Sequence, residues 1–425
     1  MINLNTSVYN DSNNWNDVLL KMDFIGFLRR LNKRLMGASM LALFLSFLTT
    51  IIMSRTIGSE GRGYFQLFVT FQSLMSPVLN LGLGTTYIYY CQFRKMFFNK
   101  TQILLVTLST STVISTLILS FYNDISIFSK IVCVLFITIS SLNLVFIDIL
   151  KLDKDLKGLP FSTIVPSVVL FLYVSILSVV GELNNDNVSY GLLLSSSVQL
   201  MSLLYCLVEF KCSQEKLKKI NTKDEVISYL KYSSTILATL VFVCLSNNLD
   251  KIVVYSLLGV AELGKMSIAL SFCAIANKIS ETMSINYMSN RVSDNNTEVL
   301  NFYSVFKAII VIVFFISPAC WFFGDFILPI IFGSDFNSMG FVFLILIANS
   351  LFSGFNSLVS QEFIVNGEPI NNIYRTIISF LFFLVFSYLL RDEGLTGICT
   401  AILFSTIARA ILSLNLLKNY EKNKI

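Results

Sequence analysis

The sequence predicts an all-α polytopic membrane protein with about twelve transmembrane helices, divided into two halves of six. Three observations predict it. Of 425 residues, 55% are hydrophobic and only 13% charged, half the charge of an ordinary soluble domain, at about 25%. The apolar residues fall in continuous runs long enough to cross a bilayer, which takes about 20 residues, and they do not alternate as barrel strands would. A basic segment near mid-chain splits these runs six and six.

Taken in order, the spans are 35–54, 63–90, 101–121, 127–149, 159–180, 190–209, 227–257, 262–288, 301–323, 338–362, 371–390 and 394–417. The first lobe is 35–209 and the second 227–417, flanked by an N-terminal segment 1–34, a basic linker 210–226 and a tail 418–425. Met22 is an alternative to Met1 as the start. Lys and Arg set the orientation. Twenty fall in the N-terminal segment, the loops after even-numbered spans and the C-terminus, including Lys21, Arg94, Lys154, Lys218 and Lys418. Only Arg55, Arg62 and Arg391 fall on the opposite side. Both termini and the linker are therefore expected in the cytoplasm.

Several chemistries are excluded. The chain has no His, which removes the commonest general base and metal ligand. Its eight Cys include no C-x-x-C pair, so neither a zinc site nor a redox dithiol is expected. GSEGRG at 58–63 lacks the G-K-[ST] of a phosphate-binding loop. No cofactor, metal or nucleic-acid partner is expected. Energy must then come from an ion gradient or substrate mass action.

The two halves share a turn. SRTIGSEGRGYF joins spans one and two, and YSLLGVAELGKM joins spans seven and eight; Gly58 aligns with Gly259 and Gly63 with Gly264, at a constant offset of 201, with Glu60 inside the first turn. Glycine permits tight turns and close helix approach, and internal repeats are common in transporters.

The stretch SRTIGSEGRGYFQLFVTFQSLMSPVLNLGLGTTYIYY resembles the first helical hairpin of bacterial Wzx-type polysaccharide flippases, of the multidrug/oligosaccharidyl-lipid/polysaccharide exporter superfamily. The shared features are the R-x-x-G-x-E-G-x-G-Y turn from Arg55 and the later L-G-L-G. NNLDKIVVYSLLGVAELGKMSIALSFCAIANKIS resembles that family's seventh-to-eighth span region. Departures are Ser59, where the family often has Pro, and Lys265, where an aromatic is common. The resemblance implies two six-helix lobes around a central cavity in the bacterial cytoplasmic membrane. It implies movement of undecaprenyl-diphosphate-linked oligosaccharide from inner to outer leaflet, as for O-antigen or other surface polysaccharide, with a polysaccharide polymerase and chain-length proteins as partners.

Charges inside spans are costly unless they meet a polar cavity or a partner. Span seven holds Asn247, Asn248, Asp250 and Lys251, whose three-residue spacings give two adjacent polar rows. Span eight holds Lys278 and Glu281, also three apart, and span twelve holds Arg409 with no acid nearby in sequence. The reading is that Asn247, Asn248, Lys251, Lys278 and Arg409 line a substrate cavity, while Asp250 and Glu281 carry a coupling proton or sodium ion. A local ion pair near the interface competes for the span-seven cluster, and a self-neutralising pair for span eight. Lys231, Lys307 and Arg375 lie within two turns of the cytoplasmic side, where snorkelling accounts for them; Asp148 is expected to pair with Lys151. Arg55, Gly58, Glu60, Gly63, Gly259 and Gly264 are assigned to turn structure, with Arg55 bonding carbonyls. Two rival functions remain: an ion-coupled multidrug exporter of the same fold, disfavoured by the deep cations, and a membrane glycosyltransferase or polymerase, disfavoured by the short outer loops.

Overall fold

The computed structural model describes residues 33–120, 127–150, 152, 158–209, 218–220, 222–293, 302–365 and 369–424. Most of the N-terminal segment and of the linker lies outside the described residues. The chain is a multi-pass, all-α membrane protein. Its first helix, α1 (Lys33–Leu79), is broken at Gly58 into 33–57 and 59–79. Then follow α2 (Leu83–Tyr89), prolonged by a π-helical turn to Arg94, α3 (Lys100–Ser120), α4 (Ile127–Leu150), α5 (Gly158–Val180) and α6 (Asn185–Glu209). The second half comprises α7 (Lys223–Leu258), α8 (Val260–Ser293), α9 (Phe302–Phe322), the short α10 (Leu328–Phe332), α11 (Gly340–Val365), α12 (Pro369–Leu389) and α13 (Gly394–Lys424).

Ten helices among the described residues are long and apolar enough to cross a membrane, the first being Gly37–Leu79, which Gly58 divides in two. The 21-residue α3 completes the expected twelve. Its Thr and Ser hydroxyls return to the helix's own backbone: Thr107 donates to the carbonyl of Ile103, Thr112 to that of Leu108, and Ser115 to that of Ser111. Such back-bonding leaves little polar surface for lipid to meet.

The helices pack as two groups. In the first, α1 lies against α4, α5 and α6, and α4 against α3 and α6; in the second, α11 lies against α8, α9 and α13, and α12 against α13. The groups meet where α1 packs on α8 and α7. At this seam the repeated turns face one another. Gly58 has φ 67° and Gly259 φ 90°, both with ψ near 180°, backbone open to glycine almost alone. Beyond them, Gly63 lies on the carbonyl of Val260, and Gly264 on the carbonyl of Ser59. A methyl group at either glycine would overlap that oxygen. The two contacts are the same contact under the 201-residue offset, so the seam has an approximate two-fold symmetry.

Two expectations need correction. Span two is not one helix. It breaks at residues 80–82, where Leu81 has φ 54° and Gly82 φ 67°, within the L-G-L-G stretch. And Arg62 is not a loop cation: the Gly58 turn is so tight that helix resumes at Ser59, and Arg62 is buried at 5% exposure.

At the end opposite the repeated turns, α2 and α7 are clasped. Tyr89 stacks on Tyr232, Tyr229 on Phe98, and the Tyr229 hydroxyl donates to the carbonyl of Leu83 at 3.0 Å. Ser233 bonds the carbonyl of Leu81 at 2.6 Å. A two-residue parallel pairing joins β1 (Met96–Phe97) to β2 (Lys218–Lys219).

Candidate functional site

The polar groups of the seam come from both lobes. On α1, Arg62 donates from Nε to Ser267 Oγ (3.1 Å) and from Nη2 to Ser271 Oγ (3.3 Å), both on α8, and lies 4.7 Å over the Phe65 ring. Three turns further along α1, Ser73 donates to Asn248 Oδ1 at 2.8 Å, and Lys251 Nζ donates to the same oxygen at 3.1 Å. Asn248 is buried and gives its own N–H to the carbonyl of Cys244. The Asn248–Lys251 row of α7 therefore faces the first lobe.

Asp250 lies on a different face of α7. It stands one residue from Lys251, but successive helical residues are turned by about 100°. Helix α7 also packs on α12 and α13 of the second lobe. The Asp250 Oδ1 is 3.8 Å from Lys251 Nζ, too far for a hydrogen bond, and that buried oxygen has no hydrogen-bond partner. Within the span-seven cluster, Asn248 and Lys251 thus meet Ser73 of the first lobe, and Asp250 keeps an unbonded carboxylate oxygen. The side chains of Asn247, Lys278 and Glu281 lie outside the described residues.

A second polar group sits inside the second lobe. Arg375 on α12 does not snorkel; it is fully buried, which corrects the sequence reading. Its Nη1 donates to Ser413 Oγ on α13 (2.7 Å), its Nη2 to the carbonyl of Asn356 on α11 (2.8 Å), and its guanidinium lies 5.4 Å from the Phe363 ring centre. These partners fix it far better than a path to the headgroups would. Arg409 is one turn from Ser413, whose hydroxyl returns to the Arg409 carbonyl. Its Nε is buried with no hydrogen-bond partner. Asn356 also ties α11 to α13 through the carbonyl of Thr406, and Thr406 bonds Asn349.

The turn residues have structural partners across the seam. Arg55 bonds the carbonyls of Ile331 (2.8 Å) and Ile330 (2.7 Å) on α10, so it ties the lobes instead of closing its own turn. Asp335 accepts from the Ser59 amide and hydroxyl. Glu60 is exposed. Asp148 packs on Gly84 and accepts from Thr85 at 3.3 Å; Lys151, its expected partner, lies outside the described residues. No group of His, Cys, Asp and Glu among the described residues is arranged to hold a metal. The seven described cysteines are free thiols.

Sequence reasoning missed Arg62 and Arg375. Each has only small partners brought from a distant part of the chain, so no local spacing announces it.

No family model matches the chain, and no curated protein matches it in sequence. Solved structures do match. An inward-facing multidrug-resistance transporter of the MATE family in the MOP superfamily superposes with TM-score 0.62 at 14% identity, over 90% of this chain and 96% of that one. Lipid II flippase MurJ, in an inward closed conformation, gives 0.60 at 16% identity, over 90% and 87%. A MOP superfamily transporter from Pyrococcus furiosus, described as having a binding pocket of reverse polarity, gives 0.55 at 14%, over 91% and 93%. The chain thus has the fold of the MOP transporters, and these neighbours are transporters and flippases, not enzymes.

Proposed function

We propose that this protein flips undecaprenyl-diphosphate-linked oligosaccharide repeat units from the inner to the outer leaflet of a bacterial cytoplasmic membrane by alternating access. The carrying observation is the pairing of the seam cations. Arg62 is held by two serine hydroxyls, and Lys251 donates to an amide oxygen. Phosphate oxygens are stronger partners for both than neutral groups are. A diphosphate entering as the lobes part replaces these bonds, and its departure restores them. Asn248 and neighbouring hydroxyls are suited to sugars, and the prenyl tail stays in lipid beside the lobes. No covalent chemistry is required.

Asp250 is the coupling candidate. A buried carboxylate oxygen without a hydrogen-bond partner can take up a proton or a sodium ion, and release of that ion lets Lys251 pair with it more closely. The lobes then rock about the shared seam. Lys278, Glu281 and Arg409 belong to the same reading, with Arg409 holding anionic parts of the cargo. The polymerase and chain-length proteins of the surface polysaccharide are the expected partners.

The test is polysaccharide export in a deletion strain. Deletion is expected to leave lipid-linked units in the inner leaflet and to strip the surface polysaccharide. With membrane levels matched, Asp250→Asn and Arg409→Ala are expected to export poorly, Arg409→Lys partly, since a point charge replaces a fork only in part, and Lys21→Ala normally. Normal polysaccharide with heightened drug sensitivity overturns the reading in favour of a drug exporter.

A further inference from the structure

The connection between α9 and α11, residues 323–339, reaches from the second lobe across to the first. It consists of a π-helical turn (Phe323–Ile327), α10 and a further turn, Ser334–Phe336. Its root is buried in its own lobe. Asp325 accepts from the Gly340 amide at 2.7 Å, Gly324 lies on the Gly340 backbone, and Leu328 is buried. Its tip is fastened to α1. Arg55 donates to the Ile330 and Ile331 carbonyls, and Asp335 accepts from the Ser59 amide (3.3 Å) and hydroxyl (3.2 Å). Both fasteners answer helix ends. The two carbonyls belong to the last turn of α10 and the Ser59 amide to the first turn after Gly58, groups left open within their own helices. Arg55 and Asp335 are exposed, so water can serve the same groups once the tip departs, and the net worth of each bond is small. Beneath the fasteners, Phe332 and Phe336 are each 1% exposed. The Phe332 ring is 5.9 Å from Phe47 on α1 and 6.0 Å from Phe272 on α8, and those two rings are 4.9 Å apart. Phe272 follows Ser271, one of the two hydroxyls that hold Arg62. The tip therefore plugs the lobe interface beside Arg62, at the end that bears the repeated turns.

We propose that residues 323–339 form a strap that latches this end of the seam, with Arg55 and Asp335 as its fasteners, and that the lobes part here only after the tip leaves α1. The root stays packed in the second lobe while the exposed bonds exchange with water. The proposal rests on the alternating-access reading for the parting of the lobes and on nothing about the cargo.

The test uses the full-length, Cys-free chain in whole cells, with Ser271→Cys as a reporter beneath the strap and an impermeant maleimide outside. Ser59→Cys and Asp335→Cys are joined by an oxidant and released by a reductant. The reporter with Ser59→Cys alone, treated alike, controls for oxidation of the reporter itself. Labelling of the reporter should stop when the pair is joined and recover on reduction. Arg55→Ala and Asp335→Ala should each speed it by about three- to tenfold, the loss of a hydrogen bond or two at their net worth. Arg55→Lys should speed it less than Arg55→Ala, because a point charge replaces a fork only in part. Equal labelling of the joined and reduced chain overturns the proposal, as do fastener variants that label at the parent rate. A pair that does not join removes the contact itself, and a reporter that stays unlabelled even with Arg55 and Asp335 both replaced removes the strap. A variant that labels fast because it has unfolded is recognised by its lost thermal midpoint, and the joined and reduced states of one chain decide the matter without it. None of these readouts uses cargo: normal surface polysaccharide after gene deletion overturns the flippase reading, while labelling still decides the strap.

Discussion

Adding one methyl group at Gly264 tests how tightly the lobes are joined. Its Cβ would fall on the carbonyl of Ser59, and that of Gly63 on the carbonyl of Val260. Backbone cannot rotate aside as a side chain can, so the turns must part by about 1 Å to reach ordinary contact, and overpacking of this kind costs about 1–3 kcal/mol. Gly264→Ala and Gly63→Ala should each lower stability by that amount. The two costs should not add. Once the first methyl has separated the turns, the second finds room, so the double variant should cost little more than either single one, a coupling of about 1–3 kcal/mol. Gly37→Ala is the control. Gly37 is helical with no atom near its Cβ position, and alanine there should be neutral or stabilising by up to about 1 kcal/mol. The assay is thermal or denaturant unfolding of the purified chain in one detergent. Singles within about 0.5 kcal/mol of wild type, or a double variant equal to the sum of the singles, would refute the reciprocal contact.

Gly58→Ala and Gly259→Ala should each destabilise by about 1–3 kcal/mol in the same assay, since alanine cannot adopt their backbone without strain. Arg62→Lys keeps the charge but cannot reach both Ser267 and Ser271 in the fork geometry; a fall of about 1–3 kcal/mol is expected, and Arg62→Met should fall no less. Single cysteines replacing Asp186 and Lys218 in a Cys-free chain should react with an impermeant maleimide from outside and inside the cell respectively; labelling of position 218 from outside would reverse the topology. Tyr229→Phe keeps the ring stack on Phe98 and removes only the bond to Leu83, so it should cost about 1–2 kcal/mol while leaving assembly intact.

Most of the architecture was legible because hydropathy is a property of contiguous sequence. Each of the twelve runs falls on a helix, with span two split between the second part of α1 and α2 and the short α10 lying between runs, and the hinge glycines were found by their offset. The L-G-L-G break was hidden because the apolar run continues through it; only the φ of Leu81 and Gly82 shows it. Polar side chains were harder to read. Spacing groups Asn248 with Lys251, yet it cannot say which lobe a face meets; Ser73 on α1 supplies that answer. Depth in a helix misled for Arg375: two turns from an end permits snorkelling, but Ser413 and Asn356, 38 and 19 residues away, hold it inside. Such partners become visible only when the helices are placed side by side.

The break in span two bears on how the protein is made. The carbonyls of Leu81 and Leu83 are answered by Ser233 and Tyr229, residues the ribosome adds about 150 positions later. The Leu83 carbonyl also accepts within α2, which begins there, but until α7 arrives the nascent chain leaves the Leu81 carbonyl unanswered in an inserted segment, which lipid penalises. The first six spans therefore do not mature by themselves. They wait for the seventh, and a fragment ending at the linker is expected to be held by the insertion machinery or degraded, while the same fragment extended through α7 survives.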